Sequence, residues 1–364
     1  MTPKVLLNGR FLRQPVTGVQ RFSKEIVNAI DHLVACGAWP DTEILLSRPA
    51  TPGQEQPDLP VYGRLRLRQV GRTQGHVWEQ TELPSAARGG VLINLANTAP
   101  LLAGRRQVVV IHDAGVFDTP ESYSLRFRTL YKAVQRGLVA AGARIVTVSE
   151  FSRARISMRF GLDPRQIAVT YEGADHILRV PADSGVLQRH GLRPRTFALV
   201  VGSRVAHKNL DALRETADML KRRGMTIALV GGFYPGVFRR GAHAALAERH
   251  LGRVTDAELR ALYEAAACLL FPSRYEGFGL PPVEAMACGC PVLAAGGGAV
   301  EEICGSDALY FTDGAGRVLI DVVERLLDEN GLADDLRRRG QARAASLSWG
   351  AAARALGEAV QQLG

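Results

Sequence analysis

The feature that most constrains the fold of this chain is a rhythm of short apolar runs, each followed by a segment with apolar residues at helical spacing. Runs such as VVVIHD (108–113) and FALVVGS (197–203) have the length and composition of strands that are covered on both faces. Strands that alternate with amphipathic helices form parallel sheets between helical layers. The rhythm therefore predicts an α/β chain of doubly wound sheets.

The rhythm occurs twice, and 364 residues exceed the size at which one hydrophobic core usually stops growing. The stretch 179–195 is rich in Pro, Gly and Arg and lacks periodicity, which is typical of a linker. We predict a Rossmann-like domain over 1–178, the linker over 179–195 and a second Rossmann-like domain over 196–345. The predicted strands lie at 4–8, 43–47, 64–70, 91–96, 108–113, 144–149 and 167–173 in the first series and at 197–203, 226–232, 268–273, 291–295 and 308–311 in the second.

The composition indicates a globular protein, because 46% of the residues are hydrophobic and 22% are charged. The first residues contain no apolar run of signal-peptide length, and no uninterrupted apolar window is long enough to span a bilayer, so we expect a cytoplasmic protein. The five cysteines lack the paired spacings of a zinc site. We expect them to be reduced thiols in the core.

The net charge of +9 is concentrated in the first half of the chain. Residues 1–180 contain 23 Lys and Arg against 15 Asp and Glu, whereas the remaining residues are nearly balanced. This asymmetry suggests an anionic partner, either an acidic membrane surface or a phosphate-bearing acceptor. A solvated basic surface explains the charge equally well. Nucleic acid is not expected, since aromatic residues make up only 6% and are not interleaved with the basic ones.

Two glutamates, Glu276 and Glu284, flank the glycine- and proline-rich segment EGFGLPPVE. The glycines and prolines exclude one continuous helix, so we place Glu276 in a loop at a strand end and Glu284 one turn into the next helix. Backbone amides at a helix N-terminus bind anions such as a diphosphate. Carboxylates beside a diphosphate need neutral hydroxyls to bond, which a ribose or a sugar provides.

The segment VVGSRVAHKNLD ends another predicted strand and carries two cations, Arg204 and Lys208. The carboxyl ends of parallel strands meet at one edge of a sheet, so we expect either cation to reach a diphosphate that is bound by the acidic turn. A basic pair in a loop is on its own more often a solvated surface feature. Because this pair is predicted to lie beside the acidic, glycine-rich turn, we favour ligand binding over a solvated surface.

Two loops of the first half lie at the corresponding edge of the first predicted sheet. Gly18 precedes a long helical pattern, where a residue without a side chain lets a ligand approach the backbone. His112 and Asp113 end the strand VVVIHD, and either ring nitrogen of His112 can bond a hydroxyl or share a developing charge. A His-Asp pair at a strand end is often only a hydrogen-bonded turn. We favour a functional role here because the other three loops are predicted to lie at the same site.

Taken in order, these segments resemble glycosyltransferase family 4, whose members are retaining enzymes with the two-domain GT-B fold. VTGVQRFSKEIVNAI, VVVIHDAGVFDTP, IVTVSEFSRARI and VTYEGAD are similar to segments of its first domain. VVGSRVAHKNLDAL and EGFGLPPVE are similar to its diphosphate loop and its two-glutamate signature. The resemblance covers nearly the whole chain. It implies two domains that face each other across a cleft, and a C-terminal helix over 346–364 that crosses back to the first.

The resemblance also implies roles for individual residues. Glu276 would contact the donor sugar, Glu284 the ribose and Lys208 the leaving diphosphate. The chain departs from many relatives at Ser203 and His207, where they have arginine. The predicted catalytic residues are His112, Glu276, Lys208 and Arg204, and the predicted donor-binding residues are Gly18, Asp113, Ser203, Gly277, Phe278, Gly279, Leu280 and Glu284.

We expect no cofactor besides the nucleotide-sugar donor. The chain has no Asp-x-Asp pair of the kind that holds a divalent cation, so we predict no metal site. The leaving group would instead be stabilised by Lys208, Arg204 and helix-end amides. No convincing carboxylate nucleophile is present, and in this family the departing phosphate is thought to take the acceptor proton on the same face of the sugar.

The segments TGVQRF and GSRVAHKNLD look closest to a branch with bacterial polysaccharide mannosyltransferases, which makes GDP-mannose the first expectation for the donor. UDP-glucose and related UDP-sugars are the alternative. The expected acceptor is a lipid-diphosphate-linked oligosaccharide at the inner face of the cell membrane. The basic segment SLRFRTLYKAVQRGLV (124–139) is a candidate surface for peripheral contact with anionic lipid, although a core helix with a solvated face explains it at least as well.

Two other enzyme classes share parts of this pattern. A nucleotide-dependent dehydrogenase would also use doubly wound sheets, but GGGAVE (296–301) has Glu301 in place of the third glycine of a dinucleotide fingerprint. A non-hydrolysing sugar-nucleotide epimerase shares the GT-B fold. It would convert a donor in the absence of any acceptor, which distinguishes it from a transferase.

Overall fold

The contacts of the chain divide it into two compact units. The first consists of residues 1–114, 129–172 and 349–364, and the second of residues 115–128 and 173–348. The structure, a computed structural model, describes residues 4–48, 59–203, 205–232, 249–312 and 316–363.

The strands of these described ranges are β1 (Lys4–Asn8), β2 (Thr42–Ser47), β3 (Arg66–Val70), β4 (Gly90–Asn94), β5 (Gln107–Val110), β6 (Arg144–Thr147), β7 (Ala168–Val169), β8 (Phe197–Val201), β9 (Thr226–Val230), β10 (Arg249–Gly252), β11 (Cys268–Phe271), β12 (Val292–Ala295) and β13 (Leu309–Phe311).

The α-helices of the same ranges are α1 (Gly18–Ala35), α2 (Gly75–Thr81), α3 (Leu83–Ala86), α4 (Gly115–Asp118), α5 (Leu125–Ala140), α6 (Glu150–Phe160), α7 (Gly185–Arg189), α8 (Arg214–Arg222), α9 (Asp256–Ala265), α10 (Leu280–Ala287), α11 (Ala299–Cys304), α12 (Gly316–Asp328), α13 (Leu332–Ala345) and α14 (Trp349–Gln361). Short 3-10 helices lie at Gly9–Arg13, Leu101–Ala103, Pro120–Ser122, Pro164–Gln166, Asp175–Arg179, Ala206–Lys208, Leu210–Leu213 and Gly305–Asp307. None of the described helices is both long and apolar enough to cross a bilayer.

Each unit contains one sheet, and all the neighbouring strands described are parallel. The first sheet has the order β3-β2-β1-β4-β5-β6-β7, with Leu7 of β1 opposite Ile93 of β4. The second has the order β10-β9-β8-β11-β12-β13, with Leu199 of β8 opposite Leu269 of β11. The strand order reverses between β1 and β4 and between β8 and β11, and ligands of such sheets bind at the strand carboxyl ends beside the reversal. The predicted pair of Rossmann-like sheets is confirmed.

One described strand, β10, was missed by the sequence analysis. Its sequence is RHLG, its first two residues are exposed, and it lies at the edge of the second sheet. An edge strand with polar, exposed side chains does not produce the apolar run by which the other strands are recognised.

Helix α1 illustrates how the apolar spacing positions the helices. Phe22, Ile26 and Ile30 recur every four residues and are fully buried. The ring of Phe22 meets the indole of Trp349 in an edge-to-face contact with the centroids 5.9 Å apart. Trp349 begins α14, so the last described helix of the chain packs on α1 within the first unit.

The stretch 179–195, expected to be a linker, belongs to the second unit. The N–H of Asp183 donates to the carbonyl of Ala257 at 2.9 Å, and Arg189 forms an ion pair with Glu258. These contacts attach the stretch to the beginning of α9. Both contacts join residues that are far apart in the sequence. A pattern of neighbouring residues therefore does not reveal them.

All five cysteines are free thiols. Four of them are buried, which agrees with the expected core thiols, but Cys36 is exposed. The expectation is wrong for Cys36 because this residue follows the last turn of α1, where the chain leaves the core.

Candidate active site

Two turns at the carboxyl edge of the second sheet carry the predicted acid and the predicted lysine. The turn after β8 contains the 3-10 helix Ala206–Lys208, which ends at Asn209 with a left-handed φ of 50°. The turn after β11 contains Glu276 and leads into α10. Because β8 and β11 are neighbours at the reversal of strand order, Lys208 and Glu276 meet although they are 68 positions apart in the sequence.

Lys208 and Glu276 form an ion pair that joins these turns. Nζ of Lys208 lies 2.5 Å from Oε1 of Glu276, and the two side chains are 15% and 16% exposed. The same Nζ lies 5.2 Å from the centroid of the Phe271 ring, within the range of a cation–π contact. The N–H of Arg274 also donates to the carbonyl of His207 at 2.9 Å. In such partly buried surroundings the charges interact more strongly than in water.

The N-terminal end of α10 follows directly after Glu276. Gly279 precedes the helix with a φ of 98°, and a Cβ there would lie 2.9 Å from Cγ2 of Val300, so both backbone and packing require glycine. The N-cap residue is Gly279 itself, which has no side chain to cap this helix end. An N-terminus without a side-chain cap, at a sheet edge that already carries a lysine, suits an anion.

The other predicted residues of these turns have different surroundings. Phe278 and Leu280 are buried, and Gly277 is half-buried. Ser203 is half-buried directly after the glycine that follows β8. Arg204 lies outside the described residues.

Glu284, one turn into α10, is 5% exposed and is held by two protein donors. Its Oε1 accepts a hydrogen bond from Nε2 of His176 at 2.9 Å, and its Oε2 accepts one from the hydroxyl of Tyr263 at 2.9 Å. Burial, together with the charge of Glu284, raises the pKa of Tyr263 well above its ordinary value, so the phenol stays protonated. A ribose hydroxyl would therefore share this carboxylate with two side chains. The sequence analysis missed both because neither belongs to the two-glutamate segment.

His207, next to Lys208, is packed against residues that follow the His-Asp strand end. Its ring stacks on that of Tyr123 with the centroids 6.3 Å apart, and Tyr123 stacks on Phe127 at 5.7 Å. Its N–H donates to Oγ of Ser122 at 3.3 Å. Burial, and to a smaller extent the charge of Lys208, lowers the pKa of His207 to about 4. The residue is therefore neutral near neutral pH and adds no positive charge beside Lys208.

In the first unit, His112 follows β5 and is buried. Its Nε2 donates to the carbonyl of Leu95 at 2.9 Å, and its Nδ1 lies 3.6 Å from Oε1 of Glu172. The imidazole meets the ring of Phe22 edge-to-face at 4.7 Å. Glu172 lies in the segment VTYEGAD, to which the sequence analysis assigned no catalytic role. Both ring nitrogens thus have protein neighbours, and the contact of His112 with a donor sugar stays a prediction.

Gly18 is the exposed first residue of α1. The preceding Thr17 makes no side-chain capping bond, and a Cβ at Gly18 would meet no atom within 4 Å. Local packing therefore does not require glycine here, and the approach of a ligand to Gly18 stays a prediction. Asp113, half-buried, follows His112 at the same sheet edge.

A buried polar cluster at the carboxyl ends of β1 and β4 was not expected from the sequence. Oε1 of Glu79 accepts hydrogen bonds from Nε of Arg10 at 3.0 Å and from Nδ2 of Asn8 at 2.9 Å. Its Oε2 accepts one from Oγ1 of Thr98 at 2.9 Å and lies 3.1 Å from Nδ1 of His76. Burial on its own would raise the pKa of Glu79, but the bonds from His76 and Asn8 and the charge of Arg10 lower it below its ordinary value.

Comparison with known proteins identifies a family for the chain. The family model described as "Glycosyl transferases group 1" matches residues 188–343. The chain is 32% identical over 257 residues to the O-antigen chain mannosyltransferase B of Escherichia coli, with 67% of each chain covered. It is 28% identical over 220 residues to the O-antigen chain mannosyltransferase RfbU of Salmonella typhimurium, with 59% of this chain and 58% of that protein covered.

Solved structures share the fold over nearly the whole chain. Sucrose-phosphate synthase from Thermosynechococcus elongatus has a TM-score of 0.73 at 19% identity and covers 99% of both chains. The Anabaena protein HepE, solved in complex with UDP and glucose, has a TM-score of 0.72 at 18% identity and covers 99% of this chain and 100% of its own. The family match, the similarity to the Escherichia coli relative and the pair of Rossmann-like sheets lead to one conclusion: the chain belongs to the group 1 glycosyl transferases and is a glycosyltransferase.

Proposed function

We propose that the protein transfers a hexose, with retention of its anomeric configuration, from a nucleotide sugar to a lipid-linked or oligosaccharide acceptor in the biosynthesis of a cell-surface polysaccharide. The observation that carries this proposal is the Lys208–Glu276 ion pair beside the N-terminal end of α10. That arrangement offers a cation and backbone amides to a diphosphate, and a carboxylate to the hydroxyls of a sugar.

In the proposed reaction, the bond between the anomeric carbon and the diphosphate breaks, and a new bond forms from that carbon to an acceptor hydroxyl oxygen. The acceptor proton passes to the departing phosphate oxygen on the same face of the sugar. Lys208 leaves Glu276 and neutralises the charge that grows on the diphosphate, assisted by Arg204 and the amides of Phe278 to Leu280. Glu276 then bonds the sugar hydroxyls, and no metal ion takes part.

The proposed donor is GDP-mannose. Support comes from the two curated relatives above, which are both named mannosyltransferases. The likeness to HepE, solved with UDP and glucose, supports a UDP-sugar as the alternative. Titration calorimetry with GDP and UDP distinguishes the two donors. Tighter binding of GDP is expected, and a clear preference for UDP would contradict GDP-mannose as the donor. Incubation with a panel of nucleotide sugars, followed by the release of free sugar, then identifies the hexose.

We further propose that the enzyme works in the cytoplasm and contacts the inner face of an anionic membrane through α5, where it meets a lipid-diphosphate-linked acceptor. The exposed positions of α5 lie on one side of the helix and combine apolar with basic residues. Leu125 is 60% exposed and Leu130 is 42% exposed, and Arg126 and Arg136 share that side. Such a face suits the interface of an anionic bilayer.

Co-sedimentation with liposomes tests this surface. Arg126→Glu is expected to weaken binding to vesicles that contain an anionic lipid. Arg88→Glu changes an exposed arginine outside α5 and is expected to have little effect. Equal sedimentation with neutral and anionic vesicles would contradict the proposed membrane contact.

A further inference from the structure

The hydroxyl of Ser273 is buried, and no hydrogen-bond partner for it exists in the part of the chain that the structure describes. Ser273 as a whole is 6% exposed. Buried hydroxyls are nearly always hydrogen-bonded, because removing one from water without a partner costs free energy. An unpaired hydroxyl at this depth therefore points to a partner outside the described part of the chain, such as a bound ligand.

Ser273 lies within the turn that forms the candidate active site. It is two residues beyond Phe271, whose ring packs against Nζ of Lys208, and three residues before Glu276. Pro272 favours an extended backbone at the preceding residue, and side chains two positions apart in an extended chain share one side. The side chain of Ser273 is therefore expected on the same side of the chain as the Phe271 ring, which packs against Nζ of Lys208.

We propose that the hydroxyl of Ser273 donates a hydrogen bond to a phosphate oxygen of the nucleotide-sugar donor. The inference rests on the proposed function, since the donor's diphosphate is the ligand. A phosphate oxygen accepts charge-assisted hydrogen bonds from hydroxyls, and Lys208 provides a positive charge at this edge of the sheet. The oxygen of Ser273 is shielded from solvent while Lys208 is paired with Glu276. A diphosphate that takes Lys208 from Glu276 separates the two turns and reaches the hydroxyl.

A second unpaired hydroxyl in the same unit provides a matched control. Oγ1 of Thr216 is also buried without a partner among the described residues. Thr216 lies on α8, which packs against α12, and none of the predicted donor-binding residues belongs to α8. Thr216→Val removes this hydroxyl and preserves the shape of the side chain.

The experiment compares Ser273→Ala and Thr216→Val with the wild type in two measurements. Thermal unfolding without nucleotide is expected at the wild-type temperature or slightly above it for both variants, because each loses an unsatisfied polar group. Calorimetric titration uses GDP and UDP as probes. Ser273→Ala is expected to weaken the binding of the preferred nucleotide by about tenfold, whereas Thr216→Val leaves it unchanged.

Three results would overturn the inference. A clearly lower unfolding temperature of Ser273→Ala without nucleotide would show that the hydroxyl already has a partner, such as a buried water. Unchanged nucleotide affinity in Ser273→Ala would reject the inference and leave the proposed function standing. If the wild type binds neither GDP nor UDP, the proposed donor fails and the inference fails with it.

Discussion

Nζ of Lys208 and Oε1 of Glu276 lie 2.5 Å apart at the carboxyl ends of two neighbouring parallel strands. Each side chain is the counter-charge of the other in a partly buried position, so a diphosphate has to compete with Glu276 for the lysine. Under the proposed function, this exchange would free the carboxylate of Glu276 for the hydroxyls of the sugar. The one ion pair would then serve both the diphosphate and the sugar of the donor.

Replacing either member of this pair should reduce turnover strongly. We expect Lys208→Ala and Glu276→Ala each to lower kcat by about a hundredfold or more, because each removes a preorganised interaction with the transition state. Consumption of the nucleotide sugar in the presence of acceptor measures the effect. Cys288→Ala is the control: burial raises the pKa of this thiol, so it stays neutral and takes no part in the chemistry. Wild-type turnover in either charged-residue variant would refute the proposed site.

Gly279 and Gly18 are expected to respond differently to substitution, the first in stability and the second in activity. Gly279→Ala is expected to destabilise the protein by about 1–3 kcal/mol, because an alanine has to adopt the positive φ and to displace Val300. Gly18→Ala should leave the unfolding temperature nearly unchanged, since its Cβ enters open space, and should lower activity. Thermal unfolding and turnover of both variants are the measurements. Full activity of Gly18→Ala would show that no ligand needs this glycine.

The depressed pKa of His207 predicts a loss of stability in acid. Its pKa is about 4 in the folded protein against an ordinary value of 6.5. Between these values the unfolded chain binds a proton that the folded chain does not bind, so this contribution is complete above about pH 6.5 and is lost as the pH falls toward 4. His207→Phe retains a ring against Tyr123 and cannot titrate. The difference in unfolding free energy between about pH 7 and about pH 5 should therefore be smaller in the variant, and an equal difference would contradict the assignment.

The buried pair of Glu79 and Arg10 should matter far more for stability than a surface pair of the same unit. Glu79→Gln leaves the guanidinium buried without its counter-charge, and we expect a loss of about 3–5 kcal/mol. Glu43→Gln removes an acid that pairs with Lys4 and Arg68 near the surface, and we expect a loss below about 1 kcal/mol. Denaturant unfolding of both variants gives the comparison. Losses of similar size would mean that the cluster contributes no more than a surface ion pair.

The architecture could be predicted from the sequence because strands and helices produce local patterns of apolar residues. Buried parallel strands appear as apolar runs, and amphipathic helices appear as segments with periodic apolar residues. The alternation of the two was sufficient to predict two Rossmann-like sheets. The turns with Glu276 and Lys208 were recognisable because glycine and proline mark strand and helix ends at fixed offsets. The same reasoning failed at β10, whose exposed residues leave no local signal.

Only the tertiary structure decided which partners the buried polar groups have. Glu284 bonds to His176 and Tyr263, 108 and 21 positions away in the sequence, and His112 faces Glu172. These pairings depend on strand order and on how helices pack across the sheets, and no single segment of the sequence records either. The sequence therefore determined which elements form and where their reactive ends lie, whereas the packing of distant segments determined which charges those ends meet.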